Sequence, residues 1–351
     1  MTSRMEQLVG TRVLVTGGAG YIGSHTLLLL LEAGADVHVL DNFSNSSREM
    51  LDRIRSIASR PFSFDEVDIC DLSILNAVLK KFRPQAVVHF AGLKAVGESV
   101  SNPLSYYENN VAGSLNLLFS MNSADCGRII FSSSATVYGE AKYLPLDEDH
   151  PVSPANPYGR TKAIVEGMIR DWVASDPGRS GISLRYFNPI GAHRTGKIGE
   201  NPKGIPNNLV PFVARVASGA LPEVQIFGSD FETRDGTGER DYIHVEDLAA
   251  GHLAAVTHVL ARPGYEVVNL GTGRGSTVFE VLDAYEKACG KPIPRRLAPR
   301  RPGDTASSVA NPTKAEQLLG WRAERSLLDA CRSSWQWQEE YSAIDFSSSC
   351  R

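Results

Sequence analysis

Cysteine is scarce in this 351-residue chain, and its five copies, Cys70, Cys126, Cys289, Cys331 and Cys350, are scattered with no C-x-x-C pair. That spacing suits neither a zinc knot nor a dense disulfide framework, so no metal site is expected and a reducing setting is. Long apolar runs are also missing. The longest leucine stretch, at 27–31, is far too short to cross a bilayer, and the mostly polar first ten residues do not resemble a secretory signal. A cytoplasmic protein with no membrane partner is expected. Charge of one sign is lacking too: 36 Lys and Arg against 40 Asp and Glu leave a net −4. With no general basic field, nucleic acid is not an expected partner, and any phosphate-bearing ligand must be held by local amides and arginines. Residues 291–301 carry five basic residues among three prolines, but that cluster is isolated in a slightly acidic chain. The sequon Asn45-Ser46-Ser47 is read as a polar loop.

What is present is an ordinary globular composition, 42% apolar and 22% charged, long enough for two lobes sharing one body. Short runs rich in β-branched residues alternate with longer helical segments. Strands are expected at 13–16, 37–40, 62–67, 86–90, 128–132 and 182–186, and helices near 22–32, 48–59, 72–82, 103–123 and 157–174. This is the pattern of an α/β fold with a Rossmann-type doubly wound parallel sheet. Beyond Phe187, turn residues crowd the chain and a second, smaller, interleaved α/β lobe for substrate is expected. The expected division is a cofactor domain over 1–187, rejoined by about 240–271, a substrate lobe over 188–239 and 272–340, and a polar tail over 341–351. A buried strand at 267–270 would carry the chain back to the sheet.

Gly17, Gly20 and Gly23 follow the first strand and open the first helix. Side chains there would block a pyrophosphate, whereas free helix-start amides favour it without a lysine. Asp41 ends the second strand, 18 residues after Gly23, where a carboxylate can accept from ribose hydroxyls and would repel a 2′-phosphate. NAD is therefore the expected cofactor. Asp68, ending the third strand, could reach the adenine or serve the helix start at Asp71. Gly271-Thr272-Gly273-Arg274-Gly275 also lies between a strand and a helix, but lacks a βαβ unit and a downstream acid, and reads as a turn feeding a helix capped at Ser276 or Thr277.

Y-x-x-x-K occurs twice. Tyr138 and Lys142 flank Gly139 in a loop with nothing to align them. Tyr158 and Lys162 differ, because Asn156 can cap and Pro157 can open a helix that stacks residues four apart on one face. A phenol of pKa about 10 is a poor base at neutral pH. A nearby ammonium and a cationic ring favour the phenolate, and lowering its pKa by about three units corresponds to roughly 4 kcal/mol. Tyr158 is then the expected acid/base for hydride chemistry at an alcohol carbon, with Ser134 at the end of the fifth strand sharing the proton.

With these residues assembled, the chain resembles the extended short-chain dehydrogenase/reductase family and, within it, the enzymes that epimerise UDP-sugars at C4. The resemblance is nearly full length. It runs through TGGAGYIGSHT at Thr16, LDN at Leu40, HFAGLKAVGES at His89, SSSATVYG at Ser132, NPYGRTK at Asn156, RYFNPIGAH at Arg185, GIPNNL at Gly204, DGTGERDYIHVEDLA at Asp235 and APRRPGD at Ala298. It implies that bound NAD oxidises the sugar at C4 to a ketone, that the ketone turns over, and that the same hydride returns to its other face. The implied cofactor contacts are Tyr21, Ile22, Asp41, Asn42, Ser46, Asp68, Ile69, Phe90, Ala91, Gly92, Lys94, Asn109 and Phe187, beside the glycines, Ser134, Tyr158 and Lys162. The UDP-sugar would meet Ser134, Tyr158, Asn188, Asn208, Leu209, Gln225, Phe227, Arg240, Arg301 and Asp304, with both arginines clamping the diphosphate. Dehydratases of the family carry Asp-Glu where Ala135-Thr136 stands here, which favours epimerisation. Ser308 occupies a position where some members carry tyrosine, which implies room for N-acetylated sugars as well. The resemblance also implies a homodimer formed by the helices at 103–123 and 157–174.

Overall fold

The computed structural model describes residues 7–301 and 304–348. Its central layer contains β1 (Arg12–Thr16), β2 (Asp36–Asp41), β3 (Ser63–Glu66), β4 (Ala86–His89), β5 (Arg128–Ser134) and β6 (Ser180–Tyr186). A smaller region then begins with β7 (Asn188–Ile190), β8 (Val224–Phe227) and β9 (Glu239–His244), after which β10 (Gly264–Leu270) joins the central layer beside β6. All seven central strands run parallel in the order β10-β6-β5-β4-β1-β2-β3. The strand order reverses at β1, which has β4 on one side and β2 on the other. Crossovers leave in opposite directions there and open a crevice at the carboxyl ends of the strands.

The central strands are almost continuously apolar because helices cover both faces. Val13, Val15, Val37 and Val39 pack with Leu27, Leu30 and Leu31 of the helix Tyr21–Glu32 and with Val256 and Val259 of the helix Val245–Ala261. The alternate residues Leu14, Leu40 and Val87 face Leu75, Leu117 and Val165 on the other side. This period-two division fixes register, since a one-residue slip would exchange the two cores.

The helix expected over 103–123 is interrupted. It comprises Pro103–Tyr106, a π-helical turn at Tyr107–Ala112, and Gly113–Ser123. The Asn110 side chain accepts from Leu93 N at 2.7 Å and donates to Leu93 O at 3.0 Å and Thr161 Oγ1 at 3.1 Å. These bonds tie the widened turn to the loop after β4, an arrangement that π-turns often bring to functional sites.

In the smaller region β9 pairs with β7, with β11 (Gly275–Thr277) and later with β13 (Ser307–Ser308), while β8 pairs with β12 (Arg295–Ala298). Helices Leu209–Ala217, Val278–Cys289 and Leu327–Ser348 enclose its core around Val213, Leu282, Tyr285 and Trp335. The helix expected to be capped at Ser276 or Thr277 starts at Val278, with β11 occupying 275–277; Thr277 is its N-cap and forms a capping box with Glu280. The glycine turn at 271–275 holds a protein carboxylate: Asp241 accepts from Thr272 N at 2.9 Å, Gly273 N at 2.9 Å and Thr272 Oγ1 at 2.7 Å. Its amides are thus committed to the fold.

Candidate active site

A cavity of about 820 Å³ opens at the strand reversal and extends into the smaller region. All the site residues singled out from the sequence line it except Asp68 and Ser308. Two of the three glycines that follow β1 are forced by the protein itself: a Cβ on Gly17, at φ +70°, would stand 2.7 Å from Ala91 N, and one on Gly23 would stand 2.3 Å from Gly17 O. At Gly20 a Cβ would meet only Gly17 O, at 3.1 Å, so the space in front of it is open. Gly20 is also the N-cap of Tyr21–Glu32 and contributes no side-chain cap. The first-turn amides therefore retain the positive end of the helix toward the cavity.

Asp41 accepts from Ala19 N at 3.0 Å, Phe43 N at 2.9 Å and Ser46 Oγ at 2.7 Å. Three donors hold this carboxylate at the cavity wall beside the glycine loop, an arrangement suited to neutral ribose hydroxyls and hostile to another phosphate. Asp68 is exposed between the lining residues Val67 and Ile69, accepting from Asn42 Nδ2 at 2.9 Å and Cys70 N at 2.8 Å. The neighbouring helix start belongs to Asp71, which accepts from Ile74 N. The glycine cradle, the uncapped helix and Asp41 together fit NAD.

Asn156 caps the helix Pro157–Ala174 by accepting from Gly159 N at 2.9 Å, which sets Tyr158 in the first turn and Lys162 one turn later. Lys162 Nζ donates to Ser132 O at 2.6 Å and stands 5.8 Å from the centre of the Tyr158 ring. Ser134 ends β5, its Oγ accepting from Thr136 N at 3.2 Å and Thr136 Oγ1 at 3.0 Å. Burial pushes the Tyr158 phenol up to about 12, with the Ser134 hydroxyl pulling the other way. Burial also brings the Lys162 ammonium down to about 8 against the pull of Glu166. With burial the dominant influence, the phenolate depends on the cationic ring that the sequence reading sets beside the ammonium. A phenolate here needs a further positive charge in the cavity. The other Y-x-x-x-K tyrosine, Tyr138, is fully buried and donates to Asn269 Oδ1 at 2.6 Å.

The opposite wall carries Gln225 and Phe227 on β8, Arg240 on β9, Arg301 and Asp304. Arg301 lies over the Phe227 ring at 4.7 Å and its Nε donates to Asp304 at 3.1 Å; Arg240 Nη1 donates to Glu239 O at 2.8 Å. Burial lowers the affinity of Arg240 for its proton. A second anion in the cavity would relieve that cost. Ser308 lies on β13 in register with Arg240, behind the lining. Sequence reasoning passed over several lining groups, including Ser132 and Tyr186, whose hydroxyls hydrogen-bond each other, and Glu200 and Lys203, which stand in a turn-rich segment without periodicity. Among the described residues no group of three or more His, Cys, Asp or Glu is arranged to hold a metal ion. No described helix is long and apolar enough to cross a membrane.

The family model for the NAD dependent epimerase/dehydratase family matches residues 13–271. The chain belongs to this family. Among curated family members, UDP-glucose 4-epimerase of Bacillus subtilis (strain 168) is 52% identical over 326 residues, covering 93% of this chain and 96% of that protein. The human UDP-glucose 4-epimerase is 50% identical over 336 residues, 94% and 97% of the two chains. A solved UDP-glucose 4-epimerase from Bifidobacterium longum, in complex with NAD+ and UDP, superposes with a TM-score of 0.91 at 50% identity, covering 95% of this chain and 99% of that one. The Stenotrophomonas maltophila enzyme, with bound NAD and formylated UDP-arabinopyranose, gives 0.93 at 44% identity with the same coverage.

Proposed function

We propose that this protein interconverts UDP-glucose and UDP-galactose by NAD-dependent epimerisation at C4. The observation that carries this reading is the single cavity joining the glycine loop and Asp41, the Tyr158 corner, and Arg240 with Arg301 on the far wall. The glycine loop, Asp41, Lys94, Asn109 and Lys162 hold the cofactor. When bound, NAD supplies the acceptor that takes the C4 hydrogen and returns it. Tyr158 takes the proton of the C4 hydroxyl and gives one back, while Ser134 hydrogen-bonds the same oxygen. Arg240 and Arg301 bind the diphosphate, so that the 4-keto sugar stays tethered while it turns. Thr136 hydrogen-bonds Ser134 where a dehydratase would place an acid.

The direct test is to incubate the purified protein with UDP-galactose, adding no free NAD. The expected result is UDP-glucose; stoichiometric release of NADH without epimer would reject the reading in favour of a dehydrogenase. Small Ser308 beside Arg240 keeps that wall thin and extends the reading to UDP-N-acetylglucosamine and UDP-N-acetylgalactosamine. Ser308→Tyr is accordingly expected to abolish turnover of the N-acetylated pair and spare the other, and equal effects on both would overturn the extension.

We further propose a cytoplasmic homodimer. Val100, Leu104 and Phe119, exposed by 63, 79 and 52%, and the exposed Ile164 lie on the helices Val96–Ser101, Pro103–Tyr106, Gly113–Ser123 and Pro157–Ala174, apolar side chains of the kind a second copy would cover. A monomeric mass by light scattering, or recovery outside the soluble cell fraction, would contradict this.

A further inference from the structure

Lys203 has no role in the mechanism above, yet it joins two walls of the cavity. It lies in the segment 199–208, ahead of the helix Leu209–Ala217, and its Nζ donates to Phe43 O at 3.1 Å and Ser44 O at 2.8 Å, 160 and 159 residues away along the chain. Those carbonyls belong to the loop after β2, which lines the cavity through Ser44, Asn45 and Ser46. Lys203 and its neighbour Pro202 line it from the smaller region. The ammonium therefore fastens one region to the other at the cavity edge.

Both ends of that fastening are built. On the cofactor side, Phe43 has φ +55°, a conformation uncommon for a residue with a side chain. Phe43 N donates to Asp41 Oδ1 at 2.9 Å, and Ser46 Oγ donates to the same oxygen at 2.7 Å. Two of the three donors that hold Asp41 thus come from the loop whose carbonyls Lys203 grips. On the other side, Arg215 Nη2 donates to Pro202 O at 3.0 Å and Nη1 to Gly204 O at 2.6 Å. This rigid fork fixes the carbonyls on either side of Lys203, so the lysine reaches across from a held segment.

We propose that Lys203 is a positioning residue that slows the escape of NAD by clasping the Asp41 loop across the cavity edge. The inference rests on the functional reading above and deepens it. An epimerase returns the hydride it has taken, so its cofactor has no need to leave between turnovers, whereas a dehydrogenase must exchange NADH for NAD at each one. Both hydrogen bonds of Lys203 go to the Asp41 loop, so their loss falls on cofactor retention rather than on proton transfer at Tyr158.

The experiment loads the wild type, Lys203→Met, Lys203→Arg, Arg215→Ala and the Lys203→Met/Arg215→Ala double variant with radiolabelled NAD, adds excess unlabelled NAD, and follows the label retained on the protein. Methionine keeps the apolar stem and removes the donors. The lost charge-assisted bonds, discounted for solvent exposure, correspond to a rise in off rate of about tenfold. Lys203→Arg can still donate to both carbonyls and is expected within about threefold of the wild type. Arg215→Ala frees the segment and is expected to raise the off rate too. The double variant is expected within about twofold of Lys203→Met, because both residues act through one clasp. For Lys203→Met, kcat on UDP-galactose at saturating NAD and the affinity for UDP are expected within about threefold of wild type, a split that general loosening of the fold would not produce.

An off rate for Lys203→Met within about twofold of wild type overturns the proposal. So does Lys203→Arg losing NAD as fast as Lys203→Met, multiplying effects in the double variant, or UDP affinity lost in proportion to NAD. Lys203 is exposed, so its replacement leaves the core intact, and the arginine comparison decides if methionine disturbs the segment by itself. A wild type that fails to epimerise UDP-galactose overturns the functional reading and this inference with it. An active wild type whose NAD off rate is unmoved by Lys203→Met overturns the inference alone.

Discussion

Tyr158→Phe is expected to retain NAD and UDP-sugar binding while turnover falls by about 10²–10⁴-fold, the range lost when a positioned acid/base is removed. The substitution removes one oxygen and leaves the ring itself in place near the Lys162 ammonium. Two features make that oxygen hard to replace. It sits beside Ser134, whose Oγ already accepts two bonds from Thr136, so the serine is oriented as a partner rather than poised as a base. Lys162, at about 8 in its buried site, is held by its bond to Ser132 O, which commits one of its protons to the strand end. The check is kcat and KM for UDP-galactose beside NAD content and UDP affinity. Near wild-type kcat rejects Tyr158 as the proton carrier, and loss of bound NAD would show instead that the hydroxyl holds the cofactor.

Much of the cofactor half was legible in the sequence because its signals are local. Gly17 and Gly23 are dictated by backbone clashes within one turn, β1 and β4 are short apolar runs, and the Asn156-Pro157 start distinguishes Tyr158 from Tyr138 before any contact is known. The features that escaped depend on distant partners. The π-turn at Tyr107–Ala112 follows from Asn110 reaching Leu93 and Thr161, which no helical periodicity encodes. The helix Val245–Ala261, buried along the large sheet, lacks the polar stripe by which amphipathic helices are recognised, and it was not expected. Glu200 is a single acid among turn residues, placed by Trp337 far along the chain. The Tyr158 phenol shows the same limit in energetic form: spacing put the ammonium one turn away, but the burial that raises the phenol is a property of the whole cavity.

Glu166→Ala is expected to cost about 3–5 kcal/mol of stability, the penalty for removing one partner of a buried ion pair. Glu166 lies one turn beyond Lys162 and is buried with Arg185, their side chains 8% and 5% exposed. Arg185 Nε donates to Oε1 at 2.9 Å and Nη2 to Oε2 at 2.6 Å, while Ser133 Oγ donates to Oε1 at 2.5 Å. Burial works against the charged guanidinium and the Glu166 carboxylate overrides it, holding Arg185 above its ordinary range. Deleting the carboxylate leaves that charge with no counter-ion, and Arg185 Nη1 already lacks a partner among the described residues. Against the roughly 5–15 kcal/mol of a typical domain, this is a large fraction. The effect reaches the site because Ser133 and Arg185 immediately precede Ser134 and Tyr186 at the ends of β5 and β6. Replacing both partners, as Glu166→Met with Arg185→Met, removes the uncompensated charge together with its desolvation and is expected to recover most of the loss. Urea unfolding of the three proteins at one free NAD concentration separates these outcomes, since bound cofactor otherwise shifts apparent stability by mass action. A loss under about 1 kcal/mol for Glu166→Ala would place the pair in the range of exposed ion pairs, and a double variant as unstable as the single would assign the cost to packing rather than to the stranded charge.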